Sequence, residues 1–124
     1  MRRSITRPIL VVDDEEVILT TVESLLREEG YSVVTAANGQ EALERIARER
    51  PCLILLDMRM PVMDGWAFAA AYRRTPTPHA PIVMMSAARD PHSRAADIFA
   101  DGYVDKPFDI EDLLAQVAEH ASDA

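Results

Sequence analysis

The apolar residues of this chain fall into two rhythms. Unbroken runs of four alternate with segments in which apolar positions recur every three or four residues. A short unbroken run is the pattern of a strand buried on both faces, and a three-to-four spacing is the stripe of an amphipathic helix. Strands are predicted over residues 8–13 (Ile9-Leu10-Val11-Val12), 31–36, 52–57 (Leu53-Ile54-Leu55-Leu56) and 81–86 (Ile82-Val83-Met84-Met85), with a short last one, Tyr103-Val104-Asp105, after Gly102. The first helix covers 16–29, with Ile18, Val22, Leu25 and Leu26 at i, i+4, i+7 and i+8, and Gly30 closes it. After a turn at Asn38-Gly39, a helix over 41–49 turns Ala42, Leu43, Ile46 and Ala47 inward, and Pro51 ends it. A short helix spans 66–73, and Thr75-Pro76-Thr77-Pro78 is a loop, because two prolines in three residues cannot extend a helix. Asp90-Pro91 opens a helix with a thin face of Ala95, Ile98 and Phe99. The last helix, from Asp109, is the most regular, with Ile110, Leu113, Leu114, Val117 and Ala118 inward. Five strands alternating with five helices imply right-handed crossovers and a parallel sheet, an α/β fold. The chain shows no repeat, linker or second domain, so residues 1–124 read as one domain.

The polar residues that close these runs change the picture. Asp13-Asp14 close the first, Asp57 the third, Ser86 the fourth, and Lys106-Pro107 the last. Parallel strands gather their C-terminal ends along one edge, where open α/β sheets bind ligands. Three carboxylates, a hydroxyl and an ammonium would then share a pocket. Two carboxylates about 4 Å apart repel by roughly 4 kcal/mol at an effective dielectric near 20. Three must take up a proton or recruit a cation. Oxygen ligands with room for water suit Mg²⁺. Asp13 or Asp14 could instead cap the following helix, but a cap does not need two aspartates. Asp57 is the natural nucleophile for a phosphoryl group, which it would hold as an acyl phosphate. A cation and the Lys106 ammonium can stabilise the transferring charge, and the Ser86 hydroxyl can donate to a phosphoryl oxygen.

Composition narrows the classes. The length of 124 residues suits a single core, and 48% apolar residues argue against disorder. A formal charge of −8 argues against nucleic acid binding. Cys52 is the only cysteine, which excludes an internal disulfide, and its place before Leu53 marks a buried thiol. Arg2-Arg3 precede an apolar run of only four residues, too short for a signal peptide or a membrane span, so a cytoplasmic location is expected. Lys106 is the only lysine among 13 basic residues.

These motifs, in this order, resemble the receiver domain of two-component response regulators over essentially the whole chain. Asp13-Asp14, Asp57, Met60-Pro61-Val62-Met63-Asp64-Gly65, Ser86-Ala87 and Tyr103-Val104-Asp105-Lys106-Pro107-Phe108 carry the resemblance. It implies a flavodoxin-like (βα)5 fold with strand order 2-1-3-4-5. It also implies that Asp57 accepts a phosphoryl group from a phosphohistidine of a sensor kinase or phosphotransfer protein. By the same resemblance Asp14 and Asp57 bind Mg²⁺ directly, Asp13 acts through water, and the backbone carbonyl of Arg59 is a further ligand. Ser86 and Lys106 take phosphoryl oxygens. Tyr103 is the switch aromatic, turning inward when Ser86 is drawn to the phosphoryl group, and Lys106-Pro107 matches a bond that family members hold cis. The thin-faced helix and last strand have the low burial that a two-state element needs.

Some positions depart from the pattern. Arg59 and Ala88 occupy places that tune acyl phosphate lifetime in the family, and Arg59 is read as partly pairing with a carboxylate, the alternative being a side chain in solvent. The last helix carries Asp109, Glu111, Asp112 and Glu119 but no Arg or Lys, which puts charge-paired dimerisation through this face in doubt. Trp66 is read as packing beside its helix, Phe68 and Tyr72 as core, and His79, His92 and His120 as surface residues. Two rival functions are an aspartyl-phosphate phosphatase of haloacid dehalogenase type and a non-phosphorylated interaction module. The first needs an aspartate where Arg59 stands, and the intact residue set argues against the second. The output, whether a downstream protein or an attached domain, is not legible.

Overall fold

The computed structural model describes residues 5–86 and 100–121, with Ser86 described by its backbone. In chain order the elements are β1 (Ile9–Val12), α1 (Glu16–Glu28), β2 (Val33–Ala36), α2 (Gly39–Arg48), β3 (Leu53–Asp57), α3 (Gly65–Arg73), β4 (Ile82–Ser86), β5 (Gly102–Asp105) and α4 (Ile110–His120). The helix expected from Asp90, with Ala95, Ile98 and Phe99, lies outside the described residues, as do Ala88 and His92. All five strands are parallel, in the order β2-β1-β3-β4-β5.

The strands are short apolar runs because both faces of the sheet are covered. Alternate residues of β1 point to opposite sides. Ile9 and Val11 join Leu53, Leu55, Val83 and Met85 under α1 and α4. Leu10 and Val12 join Ile54, Leu56, Ile82 and Met84 under α2 and α3. Phe68 and Tyr72 stack with ring centroids 5.7 Å apart in that second layer, and Cys52 is buried at the entry to β3.

Local chemistry sets the helix ends. Gly30 (φ 95°) follows α1, its N–H donating to the Arg27 carbonyl while the Tyr31 N–H reaches the Leu26 carbonyl. This paired closure needs a left-handed residue, which glycine supplies without strain. Asn38-Gly39 is not a free turn. The Asn38 side chain accepts the Glu41 N–H at 2.8 Å as the cap of α2, and Gly39 is the first helical residue. Ala47 is exposed because α2 faces the sheet along Ala42, Leu43 and Ile46 only. In α4 the buried line is Leu113, Val117 and the following Ala121, at i, i+4 and i+8, with Leu114 half-buried. Ile110 and Ala118 fall to either side of that line and are exposed.

The outer edge of β2 is closed by two arginines. Arg27 donates to the Val33 carbonyl at 2.9 Å and Arg45 to the Thr35 carbonyl at 3.2 Å. An open edge would template another strand, and covering it with cations is a common protection.

Two histidines correct the expectation of surface residues. His79 is half-buried, edge-on to Tyr72 at 4.9 Å, with Nε2 2.8 Å from the Thr75 carbonyl oxygen. His120 is half-buried too, with Nδ1 2.9 Å from the Gln116 oxygen and Nε2 3.1 Å from the Asp101 oxygen. Each ring meets the carbonyl four residues before it, and His120 also meets Asp101, 19 residues away.

Candidate functional site

Strand register assembles the site. Val12 pairs with Leu56, so Asp13 leaves β1 beside Asp57 at the end of β3. Asp57 in turn pairs with Met85, and Ser86 with Asp105, which places Ser86 and Lys106 one step beyond. Asp13, Asp14 and Asp57 offer carboxylate oxygens within 4.8 Å of one another. Asp13 and Asp57 are the buried charged residues among those described, while Asp14 is exposed.

Lys106 reaches across from the β5 end. Its Nζ is 2.6 Å from Asp13 Oδ2, 3.1 Å from Asp57 Oδ1 and 3.7 Å from Glu15 Oε1. The other oxygen of Asp13 accepts the Glu15 N–H at 2.9 Å. Asp13 thus also orders the entry to α1, whose cap residue, Glu15, makes no side-chain cap bond.

Burial, with the neighbouring Asp13 charge added to it, pushes the Asp57 carboxyl up to about 6, against the opposing pull of Lys106. Burial would lower the Lys106 ammonium, but the hydrogen bond and charge of Asp13, with those of Asp57, outweigh it and the net shift is upward. One ammonium facing three carboxylates leaves the pocket negative. An oxygen-only donor set with uncompensated charge fits a hard divalent cation.

The loop after Asp57 is held by close backbone approach. The Gly65 N–H donates to the Met58 carbonyl at 2.9 Å, and the Gly39 N–H to the Met63 carbonyl at 2.9 Å. A Cβ on Gly65 would lie 2.8 Å from the Asp57 carbonyl oxygen and 2.6 Å from Met58 Sδ. Between these anchors Val62 has φ 70° and the Met63 N–H closes onto the Pro61 carbonyl at 2.7 Å. That is a three-residue γ-turn, costly for a β-branched side chain, on the order of 1–3 kcal/mol. The Asp64 side chain then accepts the Ala67 N–H at 2.9 Å and starts α3.

Arg59 is exposed and takes part in none of the ion pairs among the described residues, so the expected partial pairing with a carboxylate is not found. Its side chain lies in solvent. Trp66 is half-buried and shares a shallow groove with Asp14, Arg59 and Asp64. Tyr103 is half-buried on β5, where Val104 is the buried residue. Its hydroxyl donates to the Asp105 carboxylate, and burial together with that bond pushes its phenol up to about 12. The Lys106-Pro107 bond is cis. The Ser86 side chain lies outside the described residues. Glu15 and the glycine contacts at Met58 and Met63 were not foreseen. Only the adjacency of Glu15 to Asp13-Asp14 hinted at its place.

The model of the response regulator receiver domain matches residues 9–118. The transcriptional regulatory protein PrrA of Mycobacterium tuberculosis is 38% identical over 120 residues, 94% of this chain and 51% of that protein. The alkaline phosphatase synthesis transcriptional regulatory protein PhoP of Bacillus subtilis is 37% identical, over 90% of this chain and 47% of that protein. The chain therefore spans about half the length of these relatives. Among solved structures, the chemotaxis response regulator CheY4 of Vibrio cholerae superposes with a TM-score of 0.84 at 34% identity, covering 92% of this chain and 98% of that one.

Proposed function

The chain belongs to the response regulator receiver domain family, and on that premise we propose that Asp57 is its phosphoacceptor, with a phosphohistidine of a sensor kinase or phosphotransfer protein as donor. The observation that carries this reading is the convergence of Asp13, Asp14 and Asp57 within 4.8 Å, with Lys106 bridging two of them.

In the reaction a carboxylate oxygen of Asp57 attacks phosphorus, the P–N bond to the donor imidazole breaks, and the imidazole leaves as the neutral ring after taking a proton. Lys106, 3.1 Å from Asp57, would bond an oxygen of the arriving group and offset its charge. Ser86 at the adjacent strand end is assigned a second phosphoryl oxygen. Asp13, Asp14, Asp57 and the Arg59 carbonyl would hold Mg²⁺, which when bound supplies charge neutralisation for the transferring group. Tyr103 is assigned the switch. Its support is a half-buried ring on an edge strand with a single buried residue. The protein acts as a signalling domain, promoting its own phosphorylation rather than turning over a separate substrate.

The haloacid dehalogenase reading is not favoured, because an arginine, Arg59, holds the place of its general acid. No helix among the described residues is long and apolar enough to cross a membrane, which suits a cytoplasmic domain. An output domain or a downstream protein partner is in keeping with the longer relatives.

Acetyl phosphate with Mg²⁺, followed by intact mass, tests the assignment. The protein should gain one phosphoryl group, only with the metal, and Asp57→Asn should not. Full labelling of the variant removes Asp57 from this role.

A further inference from the structure

At the N-terminal ends of the strands, opposite the aspartate cluster, a cavity of about 530 Å³ opens between α2, α3 and the loop leading into β4. Its walls are Leu43, Ile46 and Ala47 from α2 with Ala71 and Tyr72 from α3, and its floor is Pro51 and Cys52. The volume lies within the range of small-molecule sites, roughly 300–1,000 Å³, and the lining is mostly apolar with a few polar groups, as such sites are.

The charge of the lining is one-sided. Arg7, Arg50, His79 and His120 contribute to it, and no Asp or Glu among the described residues does, in a chain whose formal charge is −8. Arg50 is exposed and reaches over the rim, its Nη2 3.5 Å from the Pro78 carbonyl oxygen, a long contact that leaves its other donors available. The Tyr72 hydroxyl accepts the Ala80 N–H at 2.7 Å, so its own proton is available to donate. An apolar slot with a fork of N–H donors at its mouth is complementary to a flat or chain-like body ending in a carboxylate.

We propose that this cavity binds a small organic carboxylate, its apolar body between α2 and α3 and its anionic group on Arg50 at the rim. The site lies at the opposite end of β3 and β4 from Asp57 and Ser86.

Titration of the full ¹⁵N-labelled chain with 2-naphthoate, followed by amide chemical shifts, tests this, with neutral 2-naphthamide as the matched control. Saturable shifts confined to residues 43–52 and 71–81, with Arg7 and His120, are expected. The amide should bind about tenfold weaker or worse, because it lacks the charge-assisted bonds. Arg50→Gln, at an exposed position, should weaken naphthoate by a similar factor, and Ala71→Phe should block it by filling the slot. Shifts that do not saturate, shifts centred on Asp14, Trp66 and Lys106, equal binding of acid and amide, or undiminished binding to Ala71→Phe would each overturn the proposal.

Discussion

Replacing Asp57 by asparagine should stabilise the metal-free domain at neutral pH. In the folded protein burial and the Asp13 charge lift the Asp57 carboxyl from 3.8 to about 6. Below the lower value Asp57 is protonated in both states and contributes nothing. As pH rises between the two values the unfolded chain ionises first, and folding loses stability. Above about 6 the whole penalty is present. Two pKa units at 1.36 kcal/mol each make it about 3 kcal/mol. Asparagine mimics the neutral carboxyl in shape, and Lys106 keeps its shorter bond, 2.6 Å to Asp13. The variant should therefore melt roughly 10 °C higher than wild type near pH 7.5, at about 3–5 °C per kcal/mol for a domain of this size. The gap should close as pH is lowered toward about 4. Mg²⁺ should raise wild type by about 1.4 kcal/mol at tenfold excess over its dissociation constant, and the variant by less. Melting curves by circular dichroism across pH, with and without Mg²⁺, measure all of this. A variant that melts at or below wild type without metal, or a gap that ignores pH, would refute the repulsion.

Three further outcomes rest on contacts elsewhere. Gly65→Ala places a Cβ 2.8 Å from the Asp57 carbonyl oxygen, so it should cost about 1–3 kcal/mol in urea unfolding and slow labelling by acetyl phosphate. Unchanged values for both would mean that the loop yields freely. Arg27→Ala with Arg45→Ala uncovers the β2 carbonyls, and the double variant should lose about 1 kcal/mol and self-associate with concentration in gel filtration. A protein that stays monomeric and equally stable would show that the arginines do not guard the edge. Ser86→Ala should still accept the phosphoryl group, but the amide shifts around Tyr103 on phosphorylation should shrink. Shifts as large as in wild type would uncouple the two residues.

The parts of this molecule that could be read from sequence are those set by single strands. Ile9–Val12, Leu53–Asp57 and Ile82–Ser86 are apolar on both faces because helices cover both, and such runs are visible without knowing which helices. The carboxylates were visible for a related reason: each comes directly after its run, and the ends of parallel strands lie on one edge. Strand order came from family resemblance, since no periodicity encodes which strand lies beside which. The hidden features depend on a partner across the chain. Asn38-Gly39 reads as a turn until the Met63 carbonyl, from a distant loop, meets the Gly39 N–H. His120 reads as a surface residue until the Asp101 carbonyl, 19 residues away, meets it. Arg59 shows the limit inside the site itself. Charge proximity in sequence suggested a pair, yet Lys106, 49 residues from Asp57, takes the bond and Arg59 stays exposed. A compact ammonium on a flexible stem can enter a half-buried pocket from the neighbouring strand end, whereas a guanidinium two residues along the same chain is aimed by its own backbone. The one lysine that this arginine-rich chain contains is placed where only a lysine serves.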